Sequence, residues 1–136
     1  MEIREEIPSK LEIIPKFVSN LTKRINALNI SENDLFNIKL SLEEALVNAV
    51  KYGNKFNPQL FVELVLEANI DSLTIRIKDQ GEGFDFRKVL DPTREENIEK
   101  ISGRGIFLIK SLMDKVEFLD DGSQIIMVKF LKLDFH

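Results

Sequence analysis

Apolar residues recur at three- and four-residue steps through Leu11, Ile14, Val18, Leu21, Ile25 and Leu28, a spacing that predicts an amphipathic helix. Pro15 sits near its start, where a proline is tolerated. Ahead of it, Met1 to Ile7 mixes charges with spaced isoleucines and reads as a short edge strand, broken by Pro8-Ser9. Ser31 predicts the N-cap of a second helix, with Asp34 three residues on as a capping box. That helix should run to about Tyr52 and stop at Gly53-Asn54.

The second half changes period. Leu60 to Glu67 and Leu73 to Asp79 are β-rich runs joined by Ala68-Asn69-Ile70-Asp71-Ser72, which predicts a hairpin. From Gln80 to Ser102 the chain is polar, with glycines, a proline and many charges, and a loop of that length reads as a lid, centred on residues 84–102. Gly105 to Met113 is a short apolar helix candidate. Val116 to Leu119 and Ile125 to Leu133 flank Asp121-Gly122, a strong hairpin signal. The order β-α-α-β-β-lid-α-β-β predicts an α+β fold with a helix layer on one face of a mixed sheet.

Composition narrows the chemistry. At 136 residues, 43% hydrophobic and 31% charged, the chain fits one domain spanning 1–136. It has no cysteine, which excludes a disulfide scaffold, a thiolate zinc site and thiol catalysis. A single histidine, His136, excludes a histidine metal cluster and a Ser-His-Asp triad. A net charge of -4 does not suggest a nucleic-acid binder. There is neither a signal-peptide run nor a membrane-length apolar stretch, so a cytoplasmic protein is expected.

Three segments carry candidate chemistry. On the second helix Leu35, Ile38, Leu42, Ala45 and Ala49 form the apolar stripe, while Ser41, Glu44, Asn48 and Tyr52 form a second stripe beside it. Glu44 and Asn48, four apart, can reach a common ligand; a half-exposed helix flank has the same pattern. Asp79 follows Leu73, Ile75 and Ile77 in period two and so falls in phase with the core face, where an ionised carboxylate needs a donor. Gly81 and Gly83 follow it as D-x-G-x-G and would admit a flat ligand; an aspartate capping a turn fits equally. Ser102-Gly103-Arg104-Gly105 then precedes the apolar helix, and its free amides and Arg104 suit phosphate; an ordinary turn fits as well.

The ordered combination E-x-x-x-N-A-x-K-Y, D-x-G-x-G and S-G-x-G, on helix, strand end and helix start, resembles the GHKL ATP-binding superfamily. Size, the Glu44-to-Asn48 spacing and SGRGIFLIKSLMD resemble its anti-sigma-factor serine-protein kinase branch. The resemblance implies a Bergerat, histidine-kinase-like fold: a two-layer α/β sandwich with a mostly antiparallel sheet. It implies ATP and Mg²⁺ as cofactors, Asn48 as metal ligand and Glu44 as general base. Lys51 and Tyr52 would touch phosphates, although this branch often has histidine where Tyr52 stands. Asp79 would accept from the adenine amino group, with Gly81 and Gly83 shaping the base pocket. Gly103, Arg104 and Gly105 would hold phosphates, and Ser123, in a Gly122-Ser123 step, would assist the aspartate through its hydroxyl.

As implied partners the resemblance gives a STAS-type anti-sigma-factor antagonist bearing the acceptor serine, a sigma factor, and a second copy in a homodimer. The rival readings are a non-catalytic ATP-binding module that sequesters a partner, and a detached histidine-kinase domain. Glu44 speaks against the first. The second lacks a phosphoacceptor histidine within a dimerisation helix.

Overall fold

The computed structural model describes residues 1–81 and 101–131, with side-chain positions for all of these but 101–104 and 121. Strands β1 (Glu2–Pro8), β2 (Phe61–Ala68), β3 (Ser72–Lys78), β4 (Lys115–Leu119) and β5 (Gln124–Phe130) form one sheet. Its order is β1-β2-β3-β5-β4. The sheet, expected to be mixed and mostly antiparallel, is antiparallel at every pairing. The helical crossover does bring β4 back in the direction of β3, as a single crossover should. The β4–β5 hairpin then inserts β5 between them, so no parallel neighbours remain among the described strands.

Period-two alternation works in register across the strands. Ile3, Leu66, Ile75 and Met127 lie in one cross-strand row, and Leu64, Ile77 and Ile125 in the next. All seven are buried. Arg4, Val65 and Arg76 form a row on the opposite face. The helices therefore have one apolar face to cover.

Helix α1 (Ile14–Asn26) follows a single 3₁₀ turn at Leu11–Ile13 and buries Ile14, Val18, Leu21 and Ile25, with Pro15 in its first turn as expected. Helix α2 (Glu32–Asn48) opens at Ser31, whose Oγ accepts the Asp34 N–H at 3.1 Å. It lies between α1 and α3 (Ile101–Leu112). Being covered on both flanks, it buries more than one stripe: Leu46 joins Ile38, Leu42 and Ala45, and Ser41 and Asn48 are buried too.

Two boundaries differ from the sequence expectation. The α-helical ladder of α2 ends at Asn48, and the chain continues as a wider π-turn over Ala49–Gly53. There Asn54 N–H reaches back to Ala49 O at 2.8 Å. Helix α3 starts at Ile101, ahead of the expected Gly105, so the S-G-x-G segment is helical backbone and not a turn before the helix. Ile106 and Ile109 anchor it in the core, and Lys129 Nζ donates to Leu112 O at its C-terminal end, 2.8 Å away. The lid expected over 84–102 lies outside the described residues except for Ile101 and Ser102, which begin α3.

Candidate functional site

The C-terminal half of α2 meets the end of β3 and the turn between β4 and β5 in a cleft of about 300 Å³. Ala45, Asn48, Ala49, Ile77, Asp79, Phe118, Gly122, Ser123 and Ile125 line it. The cleft is open to solvent, and its mostly apolar walls suit the faces of a planar group.

Asp79 sits here for the reason its register suggests. It continues the core-facing series of β3, and its N–H extends the β3–β5 ladder by donating to Ser123 O at 2.9 Å. The residue is 4% exposed. Its Oδ1 accepts the Gly81 N–H at 2.9 Å. Burial pushes the carboxyl above the usual aspartate range, and the Gly81 hydrogen bond opposes that only in part. A buried carboxylate held this way is an acceptor seeking a donor from the cleft.

The glycines around it are matters of space. A Cβ on Gly53 would overlap the Asp79 carboxyl group, and a Cβ on Gly81 would overlap the Gly53 carbonyl. Only glycine lets the π-turn and the Asp79 turn close on each other.

On the α3 side the same kind of approach joins the other predicted residues. A Cβ on Gly105 would lie 2.7 Å from Glu44 Oε2 and 3.1 Å from Asn48 Nδ2. Glycine at 105 thus lets α3 seat directly on the Glu44–Asn48 stripe. Glu44 is half-buried, and Asn48 is 6% exposed with its Oδ1 buried and, among the described residues, without a hydrogen-bond partner. A buried amide oxygen without a donor is a costly feature for stability alone. It fits a hard cation, which prefers oxygen ligands.

The sequence-predicted set is thus partly assembled. Glu44, Asn48 and Gly105 cluster, and Asn48 shares a cleft with Asp79 and Ser123. Gly81 packs behind Asp79. Lys51 and Tyr52 fall in the π-turn, half-buried and off the cleft lining. Gly103 and Arg104 are in the first turn of α3, where helix geometry leaves the first four amides without intrahelical partners. The Arg104 side chain and all of Gly83 lie outside the described residues. The Ser123 hydroxyl does not bond Asp79: its Oγ donates to Asp120 O at 3.0 Å, and its tie to Asp79 is through the backbone.

Sequence reasoning missed the apolar walls, Ala45, Ala49, Ile77, Phe118 and Ile125, because each reads as ordinary core. It also missed the π-turn. The Gly53-Asn54 stop signal marked its place without its shape.

Comparison with known proteins adds a family. Residues 7–129 match the histidine kinase-like ATPase domain. A serine-protein kinase RsbW of Staphylococcus epidermidis is 33% identical over 138 residues, covering 96% of this chain and 87% of the relative. A serine-protein kinase RsbW of Staphylococcus aureus (strain Newman) is 30% identical over the same shares.

Proposed function

Because the chain belongs to the histidine kinase-like ATPase domain family, and because Asn48 and Asp79 share one cleft, we propose that it is an ATP-dependent serine/threonine-protein kinase. It acts as an anti-sigma-factor-like regulator that phosphorylates a STAS-type antagonist in a partner-switching module. The single observation that carries this is the shared cleft: a buried carboxylate acceptor and a buried amide oxygen without a partner among the described residues both belong to it, with Glu44 next to the asparagine across Gly105.

Each residue then has a task. Asp79 accepts from the adenine amino group, which the apolar walls flank. Asn48 Oδ1 would hold Mg²⁺, and that ion, when bound, supplies charge neutralisation at the phosphates. Lys51, Tyr52, Arg104 and the first-turn amides of α3 would hold the phosphates, and Gly81 and Gly83 are the glycines assigned to the base pocket. Glu44 takes the proton of the acceptor serine as its oxygen bonds to the γ-phosphorus and the bond to the β,γ-bridging oxygen breaks, releasing ADP. Such transfer needs positioning and charge stabilisation more than covalent chemistry.

Residues 1–136 act as one kinase domain with a lid near 84–102, in the cytoplasm, as a homodimer; a sigma factor competes with the antagonist for one surface. Among the described residues no helix is long and apolar enough to cross a membrane.

Calorimetric titration of the wild-type protein with Mg-ATP and with ADP tests the reading. Micromolar binding of both is expected. A protein that ignores both nucleotides contradicts it.

A further inference from the structure

Just beyond the π-turn, Asn54 is 2% exposed, and its amide makes three hydrogen bonds. Nδ2 donates to Ser9 Oγ at 2.8 Å and to Phe61 O at 3.0 Å, while Oδ1 accepts the Gln80 N–H at 2.8 Å. Ser9 Oγ in turn donates to Leu60 O, and Gln80 Oε1 accepts the Phe61 N–H. One side chain thereby ties together the β1–α1 junction, the start of β2 and the residue between Asp79 and Gly81.

The location gives this network a consequence. Gly53, the residue before Asn54, lies against the Asp79 carboxyl and Gly81. Those are van der Waals approaches, which limit distance but not direction. Among the described residues, the Asn54–Gln80 hydrogen bond is the directional link between the π-turn and the Asp79 turn. We propose that Asn54 is a positioning residue for purine recognition: by clamping the Gln80 amide it fixes where the Asp79 carboxyl points, and so sets the preference for adenine over guanine. This role rests on the ATP reading above. Guanine offers an acceptor at the position where adenine offers its amino donor, so a carboxylate held on that position favours adenine, while one free to turn could also accept from the guanine N1–H and 2-amino donors. Fixing a buried acceptor in advance removes an ordering cost from binding.

The test compares ATP and GTP affinities of the full chain with its Asn54→Ala, Asn54→Asp and Ser9→Ala variants, alongside thermal melts. Asn54→Ala should weaken ATP binding by about tenfold and GTP binding less, narrowing the preference. Asn54→Asp keeps an acceptor for the Gln80 N–H, and Ser9→Ala leaves that bond intact. Both should melt lower yet keep the wild-type ATP:GTP ratio. A wild-type ratio in Asn54→Ala, or an equal loss of ratio in Ser9→Ala, overturns the proposal. Should Asn54→Ala not fold, amide exchange at Gln80 in the wild-type protein decides: protection like that of β3 supports the clamp, and exchange as free as in an exposed turn refutes it. A wild-type protein that binds neither nucleotide sinks the ATP reading and this role together, whereas an unchanged ratio sinks this role alone.

Discussion

Glu44→Ala should lower phosphate transfer to the partner's serine by roughly 10²–10⁴-fold, the usual contribution of a positioned general base, while ATP affinity stays near wild type. The base acts on the acceptor hydroxyl, not on adenine, and the Glu44 carboxylate lies against Gly105 of α3 beyond the residues lining the base cleft. Asn48→Ala should behave differently. It removes the buried Oδ1 assigned to the metal and so should damage both Mg-ATP binding and transfer. The two residues are one helical turn apart, so a general loss of structure would affect both variants alike, and parallel melts expose it. Wild-type transfer by Glu44→Ala would remove Glu44 from the mechanism.

Asp79→Asn should weaken ATP binding by about 1–3 kcal/mol, roughly five- to 150-fold, because a donor then faces the adenine amino group and leaves it unpaired in a buried site. The same change should raise the melting temperature of the nucleotide-free protein. Burial lifts the Asp79 pKa in the folded state above its unfolded value. Its stabilising contribution is therefore fully present below the unfolded pKa and is lost as pH rises through the folded one. At neutral pH the ionised carboxylate opposes folding, and a neutral amide relieves that. Function runs the other way: ATP affinity should fall as pH drops through the raised pKa, earlier than for an exposed aspartate. Calorimetry and melts across the acid range check both signs. Equal ATP affinity in Asp79→Asn, or a lower apo melting temperature, contradicts this account of the site.

Much of this architecture is legible in local pattern. The three- and four-residue steps of α1, the Ser31 cap and the alternation of β3 each follow from a short-range rule, and alternation alone turns Asp79 inward. The second stripe of α2 shows in the sequence as polar residues beside the core stripe, and the seating of Gly105 of α3 against Glu44 and Asn48 gives it its meaning. What local pattern hides is tertiary. Gly103 and Gly105 read as a turn, since glycine is a poor helix former, yet docking of Ile106 and Ile109 imposes helix on them. The π-turn and the Asn54 clamp depend on residues 26 and 45 positions away in sequence. No periodicity encodes such a partner.

The most direct test of the central claim is transfer of label from γ-radiolabelled ATP to a purified STAS-type antagonist by the wild-type protein. The account predicts label on a serine or threonine of the antagonist, stable to acid as a phosphate ester is. Binding of ATP and antagonist without any transfer would contradict it and leave a sequestering module in its place.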